Sequence, residues 1–403
     1  MFRFVSRIYI RNMNKQSYSK FFGDCYISRL LKIRQTHQRD YCSTPSTTLK
    51  TKNISVCLCY TFTMKTKQKK ATQIGKKLLG KKHPILIQTM TTAKTSKVKD
   101  VVKQILDCEQ YGLDLVRVSI VDMDDVLALN KIKKLIHVPL IADLHFDKKL
   151  ALAVLDQNID KIRLNPVNLK NEKDYIEIIE KAKAKEIPVR LGFNEASCKT
   201  PDEMLKKAQF YINLANLVDF DNFVLSFKFS DILTTIEVYR KARKMFPYPL
   251  HVGVTESGIP SSGLVKSAAA LTPLLLDEIG DTIRISLTDS PVEEVKAAKR
   301  LLKFLRINEN WPELISCPSC GRTEVNQIKV AKEIQDFIEK NGINHKIAVM
   351  GCPVNGPGEA KDATLGIAGS KNNTWILFKK GKVLRTIPGD KILEEFKKEL
   401  LKL

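Results

Sequence analysis

From residue 85 onward, short β-branched runs alternate with stretches whose apolar residues recur every three to four positions. The runs fall at 85–90, 115–120, 139–144, 161–166, 188–193, 222–230, 249–255 and 281–288. Between them lie amphipathic stretches such as 98–111, 147–156, 172–186, 201–215 and 263–278, and a last one at 291–305 closes the set. Strand–helix alternation at this spacing predicts a parallel sheet with crossover helices. Eight such units predict closure into a (β/α)8 TIM-type barrel spanning residues 64–305. An open doubly wound sheet would need fewer strands and usually a glycine-rich phosphate loop after the first; the stretch QTMTTAKT has no glycine. Residues 306–311 read as a short hinge, and 306–403 as a small α/β domain. That domain is predicted to hold a helix at 324–340, strands at 346–350, 365–368 and 375–378, and a terminal helix from 390.

Composition changes the picture at the N-terminus. The 403 residues carry a net charge of +23, and residues 1–63 alone hold eleven Lys/Arg against two Asp. That segment shows no periodicity and is expected to be disordered. It reads either as an organellar presequence or as translated sequence upstream of a start at Met64. The protein would be cytoplasmic in the second case and in an organelle matrix or plastid stroma in the first. The remaining positive charge lies on lysine-rich helix faces and reads as solvated surface rather than a nucleic-acid footprint. No apolar run is long enough to span a bilayer. Nine cysteines without even spacing exclude a disulfide framework and fit a reducing compartment.

Two constellations carry chemistry. Arg117 with Ser119, Arg163 with Asn165, Arg190 with Gly192, and Arg284 with Ser286 each stand two apart within a predicted strand. Such pairs share a face, and in a barrel that face points into the mouth. Lys228 adds a fifth cation and Asn194 a neutral donor. This much positive charge in one opening calls for a bound anion, and a diphosphate suits forked guanidinium recognition. His251, Thr255 and Glu256 end the seventh run, and Asp143 and His145 the third. A lone histidine there reads as a hydrogen-bonded structural residue.

The second constellation is CPSC at 317–320 with GCPVNGPGE at 351–359. Cys317, Cys320 and Cys352 sit in two Pro/Gly loops, and Glu359 follows. Three thiolates without a nearby fourth fit either an iron–sulfur cluster with one unusual corner or a zinc site. Read alone, these loops also fit a non-catalytic metalloprotein.

The stretches CPSCGRTEVN and VMGCPVNGPGEA closely resemble the 4-hydroxy-3-methylbut-2-enyl diphosphate synthases, iron–sulfur enzymes of the methylerythritol phosphate isoprenoid route. The resemblance continues through LVRVSI, ADLHF, KIRLNP, PVRLGFN, LSFKFS, LHVGVTESG and GDTIRISLT. It implies a 4Fe-4S cluster on Cys317, Cys320, Cys352 and Glu359, with Glu359 also catalytic. It implies diphosphate contacts from Arg117, Arg163, Arg190, Asn194, Lys228, Arg284 and Ser286, and a catalytic or substrate-orienting role for Glu256. The implied reaction is two-electron ring opening and dehydration of 2-C-methyl-D-erythritol 2,4-cyclodiphosphate. Ferredoxin or flavodoxin is the implied electron donor. The family pattern has glycine and alanine where this chain has Glu195 and Ser257, and Glu195 places negative charge near Asn194. The implied assembly is a head-to-tail homodimer of the compact bacterial type. The hinge supports it: six residues span at most about 20 Å, and the eighth helix should end at the face opposite the mouth.

Overall fold

A computed structural model of the chain describes residues 69–80, 82–144 and 147–403. The reading of 1–63 and that of His145 lie outside the described residues.

The chain enters through an antiparallel hairpin, β1 (Ala71–Ile74) and β2 (Lys77–Gly80). Then β3 (Leu86–Met90), β4 (Leu115–Ile120), β5 (Leu140–Leu144), β6 (Lys161–Leu164), β7 (Val189–Asn194), β8 (Phe223–Lys228), β9 (His251–Val252) and β10 (Thr282–Ile283) form one parallel sheet. The order β8-β7-β6-β5-β4-β3-β10-β9 is completed by a parallel bridge, Leu225 to Leu250, so the sheet closes on itself. Each strand is followed by a helix: α1 (Val98–Glu109), α2 (Met123–Lys133), α3 (Lys148–Val154), α4 (Glu172–Ala184), α5 (Pro201–Asn216), α6 (Ile232–Met245), α7 (Pro260–Leu276) and α8 (Pro291–Phe304). The (β/α)8 barrel expected from the alternation is therefore the observed fold. Side-chain caps begin most of the helices; Asp122, Asn171, Thr200 and Asp231 each accept a backbone N–H of the first turn.

The hairpin was not expected from the lysine-rich stretch that forms it. Ile74 and Leu79 are fully buried and pack on Leu86, Leu115, Ile141 and Val224, the inward residues at the N-terminal ends of the strands. They plug the bottom of the barrel.

The second layer is a five-stranded sheet of order β11-β12-β13-β14-β15. Its strands are β11 (Glu313–Ser316), β12 (Lys346–Met350), β13 (Leu365–Ser370), β14 (Thr374–Lys379) and β15 (Lys382–Pro388), with α9 (Gln327–Lys340) and α10 (Ile392–Leu400) packed on one face. Two of these strands, β11 and β15, were not expected. On the other face Phe378, Ala368 and Met350 meet a π-helical turn, Val354–Glu359. Gly356 within that turn has no room for a side chain, since a Cβ would lie 2.4 Å from the Ala368 Cβ.

The small domain stands against the flank of the barrel. Arg300 on α8 makes a forked pair with Glu339 on α9, at 2.7 and 2.8 Å. Lys296 and Tyr111 both bind Asp336, at 2.6 and 3.1 Å. Because 296 meets 336 and 300 meets 339, the two helices run in the same sense.

Candidate active site

The strand register sets the levels inside the barrel. A stagger of one residue per strand is what an eight-stranded barrel of shear eight requires. Met90 pairs with Arg117, Asp143 with Arg163, Arg163 with Arg190, and Asn194 with Lys228. Followed round the barrel, this register places Arg117, Arg163, Ser226 and Arg284 on one level. Gln88, Ile141, Arg190 and His251 lie one level below, and Leu115, Lys161, Val224 and Thr282 below that. Lys228, Ser286 and Asn165 stand nearest the opening. A cavity of about 340 Å³ occupies this end. Arg117, Arg163, Arg190 and Arg284 line it, as do Asn194, Lys228, Glu256 and Ser286. The barrel residues that the resemblance implies for substrate binding and catalysis thus line one cavity, whereas Ser119, Asn165 and His251 do not, and the lining contains no residue of the small domain.

The cations are not equivalent. Asp143 lies 3.3 Å from Arg163 and 3.7 Å from Arg117, so one buried carboxylate serves two guanidinia. Gly192 lets this happen, since a Cβ there would lie 2.8 Å from Arg163 Nε. Arg284 is held by Glu294. By contrast Arg190 is 2% exposed, and its Nε and Nη1 have no hydrogen-bond partner among the described residues. Burial and the neighbouring arginines hold its pKa well below the ordinary range. Lys228 is lowered in the same way, by burial first and then by the positive charges of Arg190, Arg117, Arg284 and Arg163. Burial pushes Arg117 down to about 10, with Asp143 opposing the shift. An anion in the cavity would relieve all three.

Glu256 is exposed at the rim of the cavity and carries φ of 53°, a left-handed conformation that costs a residue other than glycine energy. Such strain concentrates at functional sites. Glu195 turns to the loop after β8. Its carboxylate accepts from Ser230 N and Oγ, both at 3.0 Å, which lowers its pKa and ties the loops after β7 and β8 together. Asn194 Oδ1 instead accepts from Ser197 at 3.1 Å. His251 lies beneath the cavity and does not line it; its Nδ1 is 2.6 Å from Thr282 Oγ1, and burial lowers its pKa well below the usual range.

The cysteine loops form a second cluster of contacts, at the ends of β11 and β12. Cys317 Sγ accepts from Gly351 N at 3.3 Å and from Gln327 Nε2 at 3.5 Å. Gln327, the first residue of α9, also binds Cys317 O at 2.8 Å. Cys320 is exposed, and its thiol is lowered by the backbone and then the side chain of Arg322. Asn355 joins Cys352 to Glu359, lying 3.2 Å from the thiol and donating to the carboxylate at 2.6 Å. Sequence reasoning missed Gln327, Arg322 and Asn355. Asn355 could have been found from its place between Cys352 and Glu359 on one turn. The donor set fits an iron–sulfur cluster: three sulfurs, one of them already accepting N–H bonds, and a carboxylate oriented by an amide. Among the described residues, no three His, Cys, Asp or Glu side chains converge on one point to hold a single metal ion. The thiolates of a four-iron cluster each sit on a different iron and need no such point.

Comparison with known proteins agrees on both parts. Residues 69–299 match the family model described as the GcpE TIM-barrel domain, and 313–402 the GcpE protein C-terminal domain. The 4-hydroxy-3-methylbut-2-en-1-yl diphosphate synthase (flavodoxin) of Lysinibacillus sphaericus is 43% identical over 341 residues, covering 82% of this chain and 92% of its own. That of Listeria monocytogenes is 43% identical over 338 residues, covering 81% and 92%. Among solved structures, dihydropteroate synthase from Yersinia pestis aligns with 58% of this chain and 98% of its own, at 13% identity and a TM-score of 0.46.

Proposed function

The chain belongs to the GcpE family, and from that membership we propose that it is a 4-hydroxy-3-methylbut-2-en-1-yl diphosphate synthase. It converts 2-C-methyl-D-erythritol 2,4-cyclodiphosphate to (E)-4-hydroxy-3-methylbut-2-enyl diphosphate, an isoprenoid precursor. The observation that carries this reading is the convergence of four arginines and Lys228 on one barrel cavity, in a chain that also bears the three-cysteine loops.

The chemistry needs two electrons and one proton. The C2–O bond to the diphosphate breaks, the C3 hydroxyl leaves as water, and a C2=C3 double bond remains. Cys317, Cys320, Cys352 and Glu359 would hold a 4Fe-4S cluster, which when bound supplies the electrons. The cavity residues do the rest. Arg190 and Lys228, which have no anionic partner of their own among the described residues, meet the diphosphate. Their attraction grows as the ring opens and the freed oxygen gains charge, so they favour the transition state over the ground state. Arg117, Arg163 and Arg284, already oriented by carboxylates, fix the diphosphate's position, with Asn194 and Ser286 completing the donors. Glu256, at the rim, is placed to orient the substrate or to hand a proton to the departing hydroxyl.

The electron donor is a flavodoxin, as the names of the relatives say of those enzymes. The working unit is a head-to-tail homodimer in which one chain's cysteine loops cover the other chain's cavity. The Arg300–Glu339 and Lys296–Asp336 contacts, which hold α9 on the flank of its own barrel, and a cavity lining without small-domain residues support this arrangement. The domain division at residue 306 follows the same logic.

Turnover is the test. Protein purified without oxygen should show broad visible absorbance that bleaches in air, and should convert the cyclic diphosphate when reduced. A colourless zinc protein, or an iron–sulfur protein that leaves the cyclic diphosphate intact, would overturn the assignment.

A further inference from the structure

The pairing of β10 with β3 ends at Ile283 and Ile87. Beyond it the barrel wall is open, and the first turn of α8 fills the gap with Glu294, which is 3% exposed. Glu294 Oε2 accepts from Arg284 Nε and Oε1 from Arg284 Nη2, both at 3.0 Å. This is the forked geometry that fixes a guanidinium plane. The same carboxylate accepts from Thr89 Oγ1 at 2.6 Å and from Leu287 N at 3.0 Å. Four donors from β3, the end of β10 and the loop beyond it thus saturate one buried group.

Two consequences follow. Arg284 is left with Nη1, whose hydrogen-bond contact is the weak one to Met90 Sδ at 3.8 Å, so it offers the cavity a single oriented edge. The Arg284–Glu294 pair is also neutral, so Arg284 contributes direction rather than net charge. The net positive charge of the cavity comes instead from Arg190, Lys228 and the two guanidinia that share Asp143. We propose that Glu294 is a positioning residue for this reaction, setting the plane of Arg284 against the diphosphate. This rests on the diphosphate reading of the cavity. The competing explanation is a structural latch between α8 and β3, and the two differ in what they do to binding.

The test uses holoprotein kept free of oxygen. Glu294→Gln keeps the side-chain shape and an oxygen for Thr89 or Leu287, but loses the charge and the fork. Arg284→Lys keeps the charge and also loses the fork. Each variant should lose about 10- to 100-fold in kcat. Affinity of Glu294→Gln for inorganic pyrophosphate, measured by calorimetry, should stay within about threefold of wild type or tighten, because a negative charge has been removed. The double variant should be no slower than Arg284→Lys alone, since both break one interaction. The proposal fails if kcat is unchanged, if the two losses multiply, or if kcat, pyrophosphate affinity and Tm of Glu294→Gln fall together, which is the signature of a latch. If wild-type protein does not bind pyrophosphate at all, the diphosphate reading fails first and this one with it.

Discussion

Asn355 donates to Glu359 at 2.6 Å from within the same π-helical turn, four residues away, and its amide oxygen faces the Cys352 thiol. The carboxylate expected to be the fourth cluster ligand is therefore aimed by a side chain that also touches the third. Asn355→Leu should keep the iron and sulfide content while lowering turnover about 10- to 100-fold, the usual cost of losing a group that orients a ligand. Glu359→Ala should also retain its cluster, on three thiolates, and lose most turnover. Iron and sulfide analysis beside kcat decides the matter. Full activity in Glu359→Ala with the cluster present would remove Glu359 from the ligand set.

Stability and binding should part company at Arg190. Its buried guanidinium lacks partners for Nε and Nη1 among the described residues, so Arg190→Met removes a desolvated charge. Tm should rise by about 2–4 °C for each kcal/mol relieved. Substrate affinity should fall by roughly 30- to 1000-fold, on the order of 2–4 kcal/mol. Arg284→Met should weaken binding too, but lower Tm, because it strands the buried Glu294 carboxylate. Equal Tm changes in the two variants would contradict this division of labour.

The lowered pKa of Lys228 has a definite sign. In the folded protein it lies well below the ordinary 10.5. Between those two values the unfolded chain holds the extra proton, so unfolding free energy rises with pH across that window. The destabilisation by Lys228 is full below the folded value and vanishes as pH reaches the ordinary one. Lys228→Met should therefore be more stable than wild type near neutrality, with the difference shrinking toward pH 10.5. A bound anion raises the folded value, so at a pH between the free and bound values pyrophosphate binding should have Lys228 take up a proton that the Lys228→Met variant does not. Calorimetry in two buffers of different ionisation enthalpy, repeated over a pH series on both proteins, reads this directly, and equal uptake by the two at every pH would contradict it.

A shared active site can be tested by mixing. Cys352→Ser and Glu256→Gln should each be inactive alone. After subunit exchange, mixed dimers should regain activity, because one of their two sites has an intact barrel and an intact cysteine loop. No recovery after demonstrated exchange, or full activity in an isolated monomer, would rule out the arrangement in trans.

Much of this site was legible because strand periodicity carried it. Arg117 with Ser119 and Arg163 with Asn165 announce an inward face whatever the helices around them do. What stayed hidden came through other geometries. Glu294 looks like any acidic residue in a first helical turn until the β10–β3 gap places it behind Arg284. The plug at Ile74 and Leu79 is two apolar residues in a lysine-rich hairpin, too short to give a pattern. Gln327 reaches Cys317 only because α9 starts beside the end of β11. The eighth run was read as 281–288, yet the strand is Thr282–Ile283, since the wall gives way there to the loop that Glu294 binds.

Reductive ring opening is tested by counting electrons against product. Protein reconstituted with its cluster and held without oxygen would be given a measured amount of reduced flavodoxin and excess 2-C-methyl-D-erythritol 2,4-cyclodiphosphate. One (E)-4-hydroxy-3-methylbut-2-enyl diphosphate should form for every two electrons consumed, and none from Cys352→Ser given the same reductant. Electrons consumed without that product, or product formed equally well by Cys352→Ser, would contradict this expectation.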